Sequence, residues 1–189
     1  MTVVLVGFRG AGKTTVGRLA AARLGVPFFD SDAEIAAEAG RSIAEIFAVE
    51  GEAAFRDREE RALARLLSSS EARSVVAAGG GAVLRAPNRE RMKAAGLVFW
   101  LEASVETLRG RIAADPTTPS QRPPLSPGGA GGGANAAEDE VESILRAREP
   151  YYLRTADERV AVDGRTPEAI ADEIVLVVRA RGEWKGRRN

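Results

Sequence analysis

The sequence predicts an α/β protein in which a five-stranded parallel sheet lies between two layers of helices, a three-layer α/β/α arrangement. Two observations indicate this fold. Short apolar runs alternate with longer stretches whose apolar residues recur at helical spacing. The short runs are continuously apolar, as in parallel strands that are buried on both faces. The 189 residues fit one domain, which we expect at 1–181, followed by a polar tail at 182–189.

The apolar runs and the signals that start helices divide the chain into elements. The predicted strands are 3–6, 27–29, 74–77, 97–101 and 159–162. Ser104 and Thr166 stand where helix N-caps are expected, and Pro167 takes a first helical position. The predicted helices are 13–24, 33–39, 42–69, 88–95, 104–114, 138–153 and 166–180, with a break near Gly51 in the third.

Composition excludes several kinds of chemistry. The chain has no cysteine and no histidine, which excludes disulfides, zinc sites built from those residues, and catalysis by either side chain. Its 27 basic and 27 acidic residues cancel, which disfavours a strongly basic nucleic-acid-binding protein. No apolar run approaches the roughly 18 residues of a membrane span, and the N-terminus does not resemble a secretory signal. We therefore expect a cytoplasmic protein that binds neither nucleic acid nor membrane.

The segment after the first strand matches the phosphate-binding loop (P-loop) pattern G-x-x-x-x-G-K-[ST]. It reads Gly7-Phe8-Arg9-Gly10-Ala11-Gly12-Lys13-Thr14, and it follows a predicted strand and opens a predicted helix, as the motif requires. Glycines let backbone N–H groups turn toward an anion, and the helix N-terminus favours phosphate. The predicted ATP-binding residues of this segment are Gly10, Ala11, Gly12, Lys13, Thr14 and Thr15. Lys13 is expected on the β- and γ-phosphates and the Thr14 hydroxyl on Mg²⁺, whereas Arg9 could face the phosphates or the solvent.

Two acidic residues follow the second predicted strand. The carboxyl ends of parallel strands share one edge of the sheet, where ligands bind. If a turn begins at Ser31, Asp30 and Asp32 can both face the P-loop. Asp30 is then expected to hold Mg²⁺ together with Thr14, and Asp32 to reach toward a second substrate. The alternative is that Asp32 only N-caps the next helix.

A stretch rich in proline and glycine separates two predicted helices. Residues 116–135 contain five prolines and five glycines but few large apolar side chains, so they cannot build a core. A structureless loop of about 20 residues in a compact domain is usually functional. We expect a mobile lid at 115–136.

Taken together, the motifs resemble those of shikimate kinase, a family of small P-loop kinases of the nucleoside-monophosphate-kinase type. The resemblance runs from Val3 to about Ala180. Besides the P-loop and Asp30-Ser31-Asp32, it is carried by Gly40-Arg41-Ser42-Ile43-Ala44-Glu45-Ile46-Phe47, Gly51-Glu52-Ala53-Ala54-Phe55-Arg56, Glu59-Glu60, Gly79-Gly80-Gly81-Ala82-Val83, Arg122-Pro123 and Arg148-Glu149-Pro150-Tyr151-Tyr152. The resemblance implies a P-loop NTPase fold and ATP-dependent phosphorylation of the 3-hydroxyl of shikimate. The products would be ADP and shikimate 3-phosphate. This reaction is a step towards chorismate and the aromatic amino acids.

The resemblance also implies which residues bind the acceptor. Asp32 matches the acid that contacts the shikimate hydroxyls and acts as the base, and Asp30 matches the acid near Mg²⁺. Arg56 and Arg148 match the two arginines that hold the shikimate carboxylate. The glycine strip against which shikimate lies is matched by Gly79, Gly80 and Gly81. The substrate-binding helices are expected at about 32–61.

Two further arginines are matched on the nucleotide side. Arg122 matches the lid arginine that approaches the transferring phosphate, and Arg111 matches a residue that stacks near adenine. The predicted catalytic set is therefore Lys13, Asp32 and Arg122. The implied partners are ATP and shikimate, with Mg²⁺ as the cofactor and a monomer as the family's expected state.

Elementary chemistry supports these roles, although each has a plainer alternative. A guanidinium fork suits a carboxylate. Glu59, three residues after Arg56, is expected to brace it. The charged run that contains Arg56 is also typical of a solvated helix face, and Arg148 could be a surface charge. Gly79–Gly81 could be a simple turn between a strand and a helix.

Two other functions stay open at this point. One is a related small kinase acting on gluconate, which also carries a carboxylate and hydroxyls, or on a nucleoside monophosphate. The other is a nucleotide-binding module whose lid no longer closes. That possibility follows from two departures from the family pattern, a proline at Pro124 and a glycine-rich insert at 126–137. The proline could alter how the lid closes, and the glycines should make ordering of the lid more costly.

Overall fold

A five-stranded parallel sheet forms the centre of the structure, as predicted. The structure is a computed structural model that describes residues 1–68, 73–115 and 134–181. The strands are β1 (Thr2–Val6), β2 (Phe28–Asp30), β3 (Val75–Ala77), β4 (Gly96–Glu102) and β5 (Glu158–Ala161). Each lies within two residues of its prediction. Most of the predicted lid, with Arg122 and Pro124, and the predicted tail lie outside the described residues.

Seven α-helices occur in the described ranges. They are α1 (Lys13–Leu24), α2 (Ser31–Ala39), α3 (Ile43–Leu67), α4 (Ala86–Ala95), α5 (Val105–Ala114), α6 (Ala134–Thr155) and α7 (Pro167–Ala180). A short 3-10 helix at Ala82–Leu84, which was not predicted, follows the glycine strip. Helix α6 begins at Ala134, four residues before its predicted start and inside the range assigned to the lid. None of the helices described here is both long enough and apolar enough to span a membrane.

The helix starts follow from local chemistry. Ser104 and Thr166 are N-caps, as predicted, and each hydroxyl accepts a hydrogen bond from the third helical N–H. Ser42 and Glu45 form a reciprocal capping box at the start of α3. Gly51 interrupts α3 with φ 80° and ψ 172°, which confirms the predicted break.

Strand β1 divides the core in two, because successive side chains of a strand point to opposite faces. Val3 and Leu5 are buried with side chains of α1 and α7 on one face. Val4 and Val6 are buried with side chains of α3 and α4 on the other. The sheet is therefore covered on both faces, which explains why its strands are continuously apolar.

The strand order, β2-β3-β1-β4-β5, positions the functional residues. All the pairings are parallel, so the carboxyl ends of β1, β2 and β3 lie at one edge of the sheet. The P-loop follows β1, Asp30 ends β2, and Gly79 follows β3. Three segments that are far apart in the sequence therefore meet at one place.

Two glycines test the packing of the helices. Gly17 in α1 is buried, and an added Cβ would lie 2.5 Å from Phe28 Cε2 and 3.2 Å from Leu5 Cδ1. We expect Gly17→Ala to lower the free energy of unfolding by about 1–3 kcal/mol through overpacking. Outside the neighbouring turns of α5, no atom of the described residues lies within 4 Å of a Cβ added at Gly110, so Gly110→Ala should raise that free energy by about 0.5–1 kcal/mol. Urea denaturation measures both, and a Gly17→Ala protein as stable as the unsubstituted one would contradict the close contact between α1 and β2.

Candidate active site

The P-loop is shaped to receive phosphate. Gly10 and Gly12 have φ values of 87° and 90°, which favour glycine. Gly12 is the cap of α1 and has no side chain, so the first N–H groups of the helix are left for a ligand. The Lys13 ammonium lies over the loop, where it donates to the carbonyl oxygens of Gly7 at 2.7 Å and Phe8 at 2.9 Å.

Arg111, on α5, also contacts the loop. Its Nη1 donates to the carbonyl oxygen of Gly10 at 3.3 Å. A residue expected near adenine therefore lies beside the phosphate-binding segment. Thr15 lies in the first turn of α1 and is exposed.

Thr14 and Asp30 bring two oxygen ligands together beside the P-loop. The Thr14 hydroxyl donates to Asp30 Oδ2 at 2.6 Å. The other carboxylate oxygen of Asp30 accepts hydrogen bonds from the N–H groups of Asp32, at 3.0 Å, and Ala33, at 3.4 Å. Hydroxyl and carboxylate oxygens are ligands that Mg²⁺ prefers, and protein sites often supply only one carboxylate beside the substrate phosphates. The pair therefore fits the predicted metal site.

The same contacts overturn one alternative. Asp30, rather than Asp32, is the N-cap of α2. Asp32 lies in the first turn of the helix, and its Oδ1 would be 2.6 Å from a Cβ added at Gly79. The capping role falls on Asp30 because the helix begins two residues earlier than predicted. Asp32 thereby lies against the glycine strip.

Ser31 is a buried residue of the candidate site that the sequence analysis did not single out. Its side chain is fully buried, and its hydroxyl accepts a hydrogen bond from the Gly79 N–H at 2.9 Å. This bond links the end of β2 to the start of the glycine strip. A small polar residue between two predicted site acids was the available signal, but it indicated only a turn.

The glycine strip has no side chains because other side chains occupy that space. A Cβ at Gly79 would lie 2.6 Å from Glu59 Oε1 and equally close to the Asp32 oxygen. A Cβ at Gly81 would lie 2.7 Å from the Cζ atom of Arg56. At either position the neighbouring side chain would have to move. The strip is also a turn between β3 and the 3-10 helix, in which the Ala82 N–H donates to the Gly79 oxygen at 3.0 Å, so both features are present at these glycines.

Arg56 is held by two carboxylates on its own helix. Its Nη1 donates to Glu59 Oε2 at 2.9 Å, as expected for a brace three residues on. Its Nε and Nη2 donate to Glu52 Oε1 at 3.3 and 3.1 Å. The Arg56 side chain is only 13% exposed, so it does not lie on a solvated helix face.

Helix α6 brings Arg148 and Tyr152 to the same carbonyl oxygen. Arg148 Nη1 and the Tyr152 hydroxyl donate to the Gly80 oxygen at 3.3 and 2.6 Å. Residues four apart lie on one face of a helix, so both reach the strip. Tyr152 is fully buried and stacks on Trp100, which is a buried core residue of β4. Sequence reasoning gave Tyr152 no role, because only the tertiary structure shows what its hydroxyl meets.

Comparison with known proteins assigns the chain to a family. The family model described as shikimate kinase matches residues 9–179. The chain belongs to the shikimate kinase family. A shikimate kinase of Symbiobacterium thermophilum is 42% identical over 184 residues, covering 97% of this chain and 99% of that protein. A shikimate kinase of Chromohalobacter salexigens is 46% identical over 174 residues, covering 92% and 89%. The solved shikimate kinase of Acinetobacter baumannii in complex with shikimate is 36% identical, with a TM-score of 0.84, covering 96% of this chain and 94% of that one.

Glu59 is a buried acid of this site whose pKa is strongly perturbed. Its side chain is 1% exposed, and burial raises the pKa of Glu59 to about 7. The charge of Arg56 acts to lower that pKa, while the charge of Asp32 raises it further. Burial outweighs the ion pair, so this carboxyl group holds a proton more readily than an exposed glutamate.

The raised pKa makes a pH-dependent contribution to stability. Because the folded state binds the Glu59 proton more tightly than the unfolded state, stability from this group declines as the pH rises from about 4.5 to 7. Relative to Glu59→Gln, the unsubstituted protein should lose at most about 3 kcal/mol of unfolding free energy over that range. Denaturation measured at several pH values checks this.

Glu60→Gln provides the control, since it removes the same charge one residue away. Hydrogen bonds from Arg91 and Arg85 lower the pKa of Glu60, so its contribution runs the other way and is lost as the pH falls. If Glu59→Gln and Glu60→Gln changed the pH dependence of stability in the same way, burial of Glu59 would not be the cause of that dependence.

Proposed function

We propose that this protein transfers the γ-phosphate of ATP to the 3-hydroxyl of shikimate, giving shikimate 3-phosphate and ADP. Membership of the shikimate kinase family supports the reaction. The observation that carries the assignment of residues is the convergence of Asp32, Arg56 and Arg148 on one glycine strip beside the P-loop. An acid, two guanidinium groups and a phosphate-binding loop are the parts that this reaction needs.

The P-loop holds the nucleotide. The N–H groups of the loop and of the start of α1 bind the phosphates, and Lys13 places its charge on the β- and γ-phosphates. Thr14 and Asp30 would hold Mg²⁺, which neutralises charge on the phosphate oxygens when it is bound. Arg111 is assigned to the adenine side on the family resemblance, and its contact with Gly10 keeps it beside the P-loop.

The glycine strip holds the acceptor. Arg56 and Arg148 bind the shikimate carboxylate through charge-assisted hydrogen bonds. Gly79–Gly81 let the ring approach the backbone closely. Asp32 orients the 3-hydroxyl and takes its proton as the oxygen bonds to the γ-phosphorus and the bond to the ADP oxygen breaks.

Several assignments rest on the family resemblance alone. Arg122, which lies outside the described residues, is assigned to neutralise the charge of the transferring phosphoryl group. The segment that surrounds it is assigned as a lid. Residues 32–61 are assigned as the substrate-binding helices. We also assign the protein to the cytoplasm and to a monomeric state.

A panel of acceptors tests the proposed reaction. ADP release from ATP and Mg²⁺ should depend on shikimate and should not rise with gluconate or a nucleoside monophosphate. Release that depended on gluconate instead would keep the P-loop assignment but overturn the acceptor assignment. ATP binding without release for any acceptor would favour the nucleotide-binding module.

Asp32→Asn separates the base from the metal site. The substitution keeps the shape but removes the proton acceptor, so phosphoryl transfer should fall by about 10²–10⁴-fold. The affinity for ATP, measured by calorimetry with Mg²⁺ present, should be nearly unchanged because the P-loop is untouched. Asp30→Asn is the comparison, and it should weaken binding of the Mg²⁺ complex of ATP. Equal loss of ATP affinity in both variants would place Asp32 in the metal site.

A further inference from the structure

The two carboxylates on Arg56 differ sharply in their surroundings. Glu59 is 1% exposed, whereas Glu52 is 61% exposed. A buried carboxylate that leaves its partner becomes an uncompensated charge, which is strongly unfavourable. An exposed carboxylate that leaves its partner is rehydrated, and such surface pairs contribute little to stability. Glu52 can therefore leave Arg56 at small cost, and Glu59 cannot.

Glu52 occupies hydrogen-bonding capacity that a ligand would use. A guanidinium has five N–H groups, and Glu52 and Glu59 together engage all three nitrogens of Arg56. Glu52, and Glu59 in its ionised form, already place negative charge beside the single positive charge of Arg56. A third carboxylate, brought by the acceptor, would meet electrostatic repulsion for as long as Glu52 stayed in place.

The chain next to Glu52 leaves it room to move. Glu52 directly follows Gly51, the non-helical residue that interrupts α3. A Cβ added at Gly51 would meet no atom within 4 Å among the described residues. The carboxylate is therefore attached to an open part of the surface and can turn toward solvent.

We propose that Glu52 competes with the carboxylate of the acceptor for Arg56, so that shikimate must displace it in order to bind. This inference rests on the proposed function. Glu52 then sets the affinity for the acceptor, because each acceptor carboxylate replaces an internal one on the same guanidinium.

Glu52→Gln tests the competition, since the amide keeps the size and loses the charge. The KM for shikimate should fall by about two- to five-fold, the range expected for an exposed ion pair, and the KM for ATP should not change. Glu50→Gln is the matched control. Glu50 lies two residues away and pairs with Arg58 instead of Arg56. The KM of the Glu50→Gln protein for shikimate should therefore equal that of the unsubstituted protein.

A double-mutant cycle assigns the effect to Arg56. In an Arg56→Ala background, adding Glu52→Gln should leave the shikimate dissociation constant unchanged, as measured by calorimetry. The methyl ester of shikimate, which carries no carboxylate charge, should bind to the Glu52→Gln protein no more tightly than to the unsubstituted one. Thermal unfolding of each variant shows whether the fold is kept.

The outcomes distinguish this inference from the proposed function. A KM for shikimate that rose in Glu52→Gln would make Glu52 a residue that positions Arg56, and an unchanged KM would make it inert. Either result overturns the competition while leaving the reaction intact. The proposed function itself fails only if the unsubstituted protein releases no ADP in response to shikimate.

Discussion

The absence of side chains at the glycine strip is the constraint on which the rest of the site depends. Gly79 leaves space for the oxygens of Asp32 and Glu59, and Gly81 leaves space for the guanidinium of Arg56. A methyl group at either position would push these side chains away. The strip therefore lets charged groups from two helices lie directly against the end of β3, where a ligand can meet both the backbone and the charges.

The charged groups around this strip are held at some cost to the fold. Burying Glu59 raises its pKa, and burial acts to lower the pKa of Arg56 before Glu59 and Glu52 raise it. A pair of this kind is weak evidence of stabilisation, since desolvation offsets much of the attraction. Its benefit lies in orientation, because Arg56 is braced on the buried side and faces a replaceable partner on the exposed side.

Small polar contacts keep the nucleotide and acceptor halves in register. Ser31 joins β2 to Gly79, and Tyr152 joins α6 to Gly80. Asp30 takes part in both halves, since it accepts from Thr14 and caps the helix that carries Asp32. One carboxylate thus fixes the distance between the predicted metal site and the predicted base, which phosphoryl transfer requires to be constant.

The sequence by itself determined the local features of this protein. Strand and helix periodicity, the P-loop, the caps at Ser104 and Thr166 and the break at Gly51 all depend on residues that are near one another in the chain. The acceptor-binding candidates Arg56, Arg148 and Gly79–Gly81 were predicted because their motifs match a family, whereas Ser31 and Tyr152 were not predicted. The tertiary structure alone decided the strand order and the contacts of Ser31 and Tyr152. These depend on which distant segments meet at the edge of the sheet, and a serine or a tyrosine has the same local pattern whatever its hydroxyl meets there.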